Sequence, residues 1–453
     1  MDKELKAYRD KLFTDLYTNV IPDRVPIQDT FTLEYFIEYA GKDLLEAQYT
    51  IDKALFDEII PPVMEFARGD SLSLASARNA PGLMFQRSIT NVMGKTGTIQ
   101  HPEVSVLPED EYDKYIESPY DYSLAVLDRR KNLGYDEDPV TAAMNRLKYV
   151  FSQMDDSAAV AYGNAKLVED YSLFSGPKGC GGRQPVPLDT LADMNRGFSN
   201  ITKDIKRCPQ KVLDAIEALM PYCIYKGRTK VHPLSANSTM THMAAFLRTS
   251  EFEKFYWDSF CKLVHISAET GQHQLMFCEH DWTRFVDHMQ DLPQGTRIFM
   301  EYGDPKYFKD KLGKNCVLGG FYPLTLLKNG TKEQCVDKAK ELLDIMAPGG
   351  NYYFRTDKST IGAGDLNVEN YTAVMDYVLE NTKYPNAGEP VTTVPREDTI
   401  RKGLAKGYPE FKSKYIVSFD DYIKQFPPVD ERVTELMRAR YEKYSRMAEA
   451  YFN

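Results

Sequence analysis

The sequence predicts an α/β protein of the (β/α)₈ TIM-barrel type, with a cap segment and a helical C-terminal extension. Three observations lead there. Through the second half, a short apolar run ending in polar residues and followed by an amphipathic helix recurs about every thirty residues. Counting weaker examples upstream gives eight such runs, the number that closes a barrel. At 453 residues, 43% of them hydrophobic, the chain can build the barrel, its core and its additions.

Taken in order, RVPI (24–27) and SLSLAS (71–76) read as the first two strands. A stretch rich in Gly, Pro, Tyr and acidic residues follows at about 80–165. A structureless loop of that length is improbable, so it reads as a cap beside the strand ends. YSLFSG (171–176) is the third strand, before helices around 188–221, and TKVHPLS (229–235) is the fourth, before EFEKFYWDSFCKLVHISAETG. The last four are the clearest: HQLMFCEHD (273–281), TRIFMEYGD (296–304), NCVLGGF (315–321) and NYYFRTD (351–357), each with its helix behind it. After residue 384 the pattern stops. PNAGEPVTTVP reads as a linker and VDERVTELMRARYEKYSRMAEAYF as a helical tail. The division is therefore 1–384, barrel with cap, and 385–453, extension, the tail packing on the barrel or on a second copy in a homodimer.

Composition excludes several classes. A net charge of −10 argues against a nucleic-acid or anionic-membrane surface, either of which asks for a basic patch. The first twenty residues mix both charge signs without an apolar core, and no run reaches the length of a membrane span. Seven scattered cysteines without a C-x-x-C point to the cytoplasm and away from a disulfide framework. Thirty tyrosines and 23 phenylalanines beside two tryptophans serve first to pack a large core, with some left to line a pocket for an apolar or aromatic substrate.

Several stretches resemble the uroporphyrinogen decarboxylase superfamily, on its corrinoid-dependent methyltransferase side. RVPI (24–27) is similar to its opening strand, and GTIQHPEVSVLPEDEYDKYIESPYDY (97–122) to the cap of its methyltransferase-like branch. NRGFSNITKDIKRCPQKVLDAIE (195–217) resembles its paired helices. EFEKFYW (251–257), FCE (277–279) and NCVLGG followed by TLLKNGTKEQC fit the same branch. The resemblance covers about residues 20–384 and implies a barrel with its site at the C-terminal strand ends. Decarboxylases of the family grip a many-carboxylate tetrapyrrole with arginines after the first strand, where this chain has QDTFTLEYF. Corrinoid methyltransferases of the family hold zinc through a His-x-Cys and a late cysteine. Here those places read Phe277-Cys278-Glu279 and RTDKSTIGAGD, so a methyl group on sulfur is disfavoured.

The residues themselves suggest other chemistry. Glu279 and Glu301 end adjacent strands, a catalytic address in this fold. With His280 as acid or ligand and Cys316 nearby, they could hold Zn²⁺ through mixed ligands, Glu279, Glu301 and Cys316 being the metal set. The blander alternative pairs the glutamates with Arg355, Lys358 or Arg284, and leaves Cys316 as a buried core thiol. Tyr302, Tyr322 and Tyr353 stand on or beyond strand ends, where each either packs or meets a substrate ring. Arg355 could anchor a substrate carboxylate or sit in a structural ion pair. His232 and His242 flank another strand end and read first as loop histidines, with His242 carried as a substrate contact.

The expectation is a methyltransferase moving a methyl group from a small methylated donor, favoured as a methoxylated aromatic undergoing O-demethylation, to the cobalt of a corrinoid partner protein. Zinc is the expected metal. The alternatives are a decarboxylase of the uroporphyrinogen type and a non-catalytic assembly subunit.

Overall fold

The computed structural model describes residues 1–74 and 80–451. Strands β1 (Val92–Met93) and β2 (Ile99–Gln100) form a small antiparallel pair in the expected cap. The remaining strands are β3 (Gly182–Arg183), β4 (Asn237–Thr241), β5 (Gln274–Asp281), β6 (Thr296–Tyr302), β7 (Cys316–Gly320) and β8 (Tyr352–Tyr353). They make one parallel six-stranded sheet in chain order. Isolated parallel bridges carry the series on from Phe354 to Ile27, from Gln28 to Ser71 and from Ser71 to Phe174. Eight strand positions thus follow one another side by side, counting β4 to β8 with the segments at 27–28, 71 and 174. Among the described residues no ladder joins Phe174 to β4, so the architecture shown is an α/β fold with a parallel six-stranded sheet that the bridges extend, without a ladder that closes it into a barrel.

The four late strands lie where the apolar runs place them. The early ones are reduced to single bridges. TKVHPLS is not the fourth strand: it makes one bridge, Lys230 to Cys180, Ser235 N–H bonds back to the His232 carbonyl in a turn, and the β4–β5 ladder starts at Asn237. Pro233 cannot donate to a ladder, whereas the Thr-rich NSTMT suits one. Tyr171 ends a helix, and of YSLFSG only Phe174 bridges. Of the expected second strand Ser71 bridges, while residues 75 and 76 lie outside those described.

Burial separates the two faces of the sheet. On β5, Met276 and Cys278 are wholly buried under helices, while Leu275, Phe277 and Glu279 on the other face keep some solvent. That second face is floored at the N-terminal ends of the strands by helix Lys3–Tyr17. Its Phe13 and Leu16 cluster with Phe174, Val317 and Tyr353, and Tyr17 lies 3.5 Å beneath the Arg297 guanidinium. The first strand segment is pinned by a buried bidentate pair, Arg24 to Asp70 at 2.6 and 2.7 Å, Asp70 also accepting Ile27 N–H.

Apart from β1 and β2 and the loops around them, the region 80–165 is mostly helical and leads into the 33-residue helix Pro139–Tyr171, about 50 Å long at 1.5 Å per residue. The segment after 384 straps the floor. Arg396 donates to the carbonyls of Gln272 and Gln294, just before β5 and β6, and Thr399 accepts from Gln294 N–H. Its last helix, Thr434–Tyr451, returns to helix Pro209–Gly227 through Tyr225–Glu449. Among the described residues no helix is long and apolar enough to cross a membrane.

Candidate active site

The C-terminal ends of β4, β5, β6 and β8 bring together a polar group above an aromatic one. Phe277 and Phe299 sit on the solvent-reached face of neighbouring strands and stack at 4.6 Å. Two residues further along each strand the same face carries Glu279 and Glu301, so period-2 alternation delivers both carboxylates to one place. The Arg355 guanidinium, just beyond β8, lies 3.4 Å over the Phe299 ring and donates from Nη1 to Gln28 Oε1 at 2.9 Å.

A bulge shapes the rim. The β5–β6 register shifts between Cys278 and Asp281, and His280 adopts φ +61°, a conformation that L-residues reach only at a cost. The bulge turns the His280 backbone N–H onto Glu301 Oε2 at 2.8 Å. The His280 ring stands edge-on to Phe246 at 5.3 Å. Gly320, at φ +97°, ends β7 against β6, where an added Cβ would lie 2.2 Å from the Met300 carbonyl oxygen. Only glycine permits that approach.

Glu279 meets His242, one residue beyond β4, with Oε2 and Nδ1 2.8 Å apart and the side chains 27% and 25% exposed. Burial disfavours the imidazolium, but the hydrogen bond and charge of Glu279 outweigh it, and the His242 pKa is raised. Asp189 adds to this from below. It is buried, which pushes its carboxyl up to about 6 despite hydrogen bonds from Tyr256 Oη and Met243 N–H, both at 2.6 Å. By fixing Met243 it fixes its neighbour His242.

Arg355 is pushed below the usual arginine range by burial. Its Nε is buried with no hydrogen-bond partner, and it makes no ion pair among the described residues. Lys358 lies 4.9 Å over the Tyr302 ring, whose hydrogen bond raises its pKa. Neither glutamate pairs with Arg355, Lys358 or Arg284, whose Nη2 donates instead to the Ala245 carbonyl.

Of the residues singled out in the sequence, Glu279, His280, Glu301, His242, Tyr302 and Arg355 gather at these strand ends. Tyr302 is 45% exposed on the rim. Tyr353 shares the face but lies in the floor cluster, its ring filling the space that a Cβ on Gly319 would need. Tyr322 does not join them. It is fully buried on the helix-covered side, its hydroxyl donating to the Cys335 carbonyl. Cys316 does not either: it begins β7, at the opposite end of the sheet, and burial pushes its thiol up to about 12. The expected ligand set Glu279, Glu301 and Cys316 is therefore not assembled. Among the described residues no three His, Cys, Asp or Glu side chains are grouped to hold a metal ion, so the residues present do not fit the expected zinc. Phe277, Phe299 and Gln28 were missed in the sequence. The phenylalanines stand two places before each glutamate, a signal strand alternation carries.

Fold and site together define an α/β protein with a polar His–Glu cluster over stacked aromatic rings, at the C-terminal edge of a parallel sheet. No protein-family model and no curated protein sequence matches the chain. Among solved structures it is similar to a methyltransferase from Methanosarcina mazei, with 14% sequence identity and a TM-score of 0.50, over 82% of this chain and 98% of that one. At that identity the likeness is one of fold.

Proposed function

We propose that the sheet belongs to an eight-stranded barrel and that the chain is a methyltransferase taking the methyl group from a methoxylated aromatic donor to a corrinoid partner protein. The name of the Methanosarcina neighbour favours methyl transfer. The observation that carries the choice of donor is the His242–Glu279 pair beside the Phe277–Phe299 stack. Breaking an aryl methyl ether leaves its electron pair on the ring oxygen, and that charge must be neutralised. Glu279 holds the Nδ1 side of His242 and favours the imidazolium, leaving Nε2 to give a proton to the departing phenolate. A proton donor then does what a zinc ion would otherwise do. The corrinoid, carried by its own protein, supplies the nucleophile that accepts the methyl group. Phe277, which keeps some solvent exposure, offers an apolar surface for the donor ring, and a ring carboxylate would give Arg355, packed on Phe299, the counter-charge it lacks.

The test mixes the protein with reduced corrinoid protein and 3-methoxybenzoate, 2-methoxyphenol or their relatives, and follows cobalt methylation by absorbance. Methylation with at least one methoxyarene supports the proposal. No methylation with any of them removes the donor assignment, and carbon dioxide release without corrinoid protein would replace it by decarboxylation.

A further inference from the structure

Helix Pro139–Tyr171 has two faces of opposite character. Its Ala159, Val160, Gly163 and Leu167 are buried, Gly163 so tightly that a Cβ there would lie 2.4 Å from the Phe56 ring of helix Lys53–Met64. A surface helix ordinarily turns its apolar stripe to that side alone. Here a second stripe faces solvent. Val140, Met144, Leu147, Phe151 and Met154 are 73, 52, 48, 60 and 39% exposed. Ala158 and Ala161 continue the line and are exposed too. The steps alternate four and three residues along its length, the spacing of a coiled-coil seam rather than of scattered surface residues. Contiguous apolar patches of this kind are rare on monomers.

We propose that this stripe is the seam of a homodimer, in which the helix packs antiparallel on its own copy across a two-fold axis. With Phe151 set against the partner's Met154, Leu147 falls on the partner's Ala158 and Met144 on the partner's Ala161, each contact occurring twice. Bulky side chains of one half then meet small ones of the other, so the helices can approach closely. The same register puts Lys148 beside the partner's Asp155, again twice; both residues are exposed and flank the seam on the same side. A parallel pairing would lose both features, setting Phe151 on Phe151 and Ala158 on Ala158 and giving Lys148 no acidic neighbour. Self-complementarity across a two-fold axis singles out a second copy of this chain as the occupant.

Sedimentation of the full chain tests this. The expected mass is twice the 51.8 kDa of one chain. Phe151→Glu or Leu147→Glu, both at exposed positions, leaves the circular dichroism unchanged and abolishes the dimer. Lys148→Asp and Asp155→Lys each weaken it about tenfold, and the double exchange restores most of that loss. A monomer at every concentration overturns the proposal, including one that gains mass only when a different protein is added. So does a dimer that survives Phe151→Glu, or a double exchange as weak as either single one.

Discussion

Replacing Glu279 by glutamine removes one charge from the His242–Glu279 pair and keeps a group of the same shape. The two atoms are 2.8 Å apart and about a quarter of each side chain is in solvent. A hydrogen bond between charged partners contributes about 1.5–3 kcal/mol, and partial exposure places this one near the lower figure. Because the pair raises the pKa of His242, the imidazolium persists to higher pH in the parent than in the variant. At a pH where only the parent keeps its proton, about 1.5 kcal/mol corresponds to roughly a tenfold lower rate of cobalt methylation. As pH falls, both forms become protonated and the two rates converge. The loss therefore has a slope, largest on the alkaline side. Stability follows the same sign. The pair stabilises the folded chain below the unfolded histidine value of 6.5, and the contribution disappears as pH rises through the raised folded value. Methylation rates against pH, with the His242 ring followed by NMR, are the assay. A Glu279→Gln enzyme equal to the parent across the neutral range, or slower by the same factor at every pH, would refute the proton-donor role.

Other substitutions separate parts of the structure. Arg355→Gln should weaken binding of a methoxybenzoate about ten- to hundredfold, the effect of about 1.5–3 kcal/mol for a charged hydrogen bond, while methoxybenzene binding stays unchanged; equal losses for both ligands would point to packing on Phe299 instead. Cys316→Ala should cost about 1 kcal/mol in urea denaturation and leave activity intact, since the thiol is buried at the far end of β7. A stable but inactive variant would return that residue to the site. Gly320→Ala, with a Cβ 2.2 Å from the Met300 oxygen and φ at +97°, should cost about 3 kcal/mol or more and lower the melting temperature; an unchanged melt would contradict the close β6–β7 approach.

The late strands were legible because each is an apolar run with a well-capped helix behind it, as where Thr331 and Gln334 form a capping box. The adjacency of Glu279 and Glu301 followed from those runs. The fourth strand was misplaced because TKVHPLS is apolar enough to resemble one, while Asn237–Thr241 is polar and owes its ladder to its neighbours. That error left His242, carried as a substrate contact, seven residues beyond the expected strand end at 235, whereas it directly follows the observed β4. Cys316 was carried in the ligand set although NCVLGGF already places it at the start of its strand, and the structure keeps it there, at the end away from the glutamates. Tyr322 was drawn into the site because φ +68° at Phe321 changes the side on which the next residue falls, and spacing carries no trace of that.

The pairing of Ile27 with Phe354, of Arg24 with Lys383 and of Val20 with Pro390 has a consequence for synthesis. The members of each pair lie more than 320 residues apart, so the first members leave the ribosome long before their neighbours are made. At 5–20 residues per second they wait roughly 15–70 seconds with an unsatisfied strand edge. Such long-range closure is slow and exposes apolar surface meanwhile. Overproduction at low temperature, or with chaperones that shield a nascent chain, should therefore raise the soluble yield more than any change at the C-terminal strand ends.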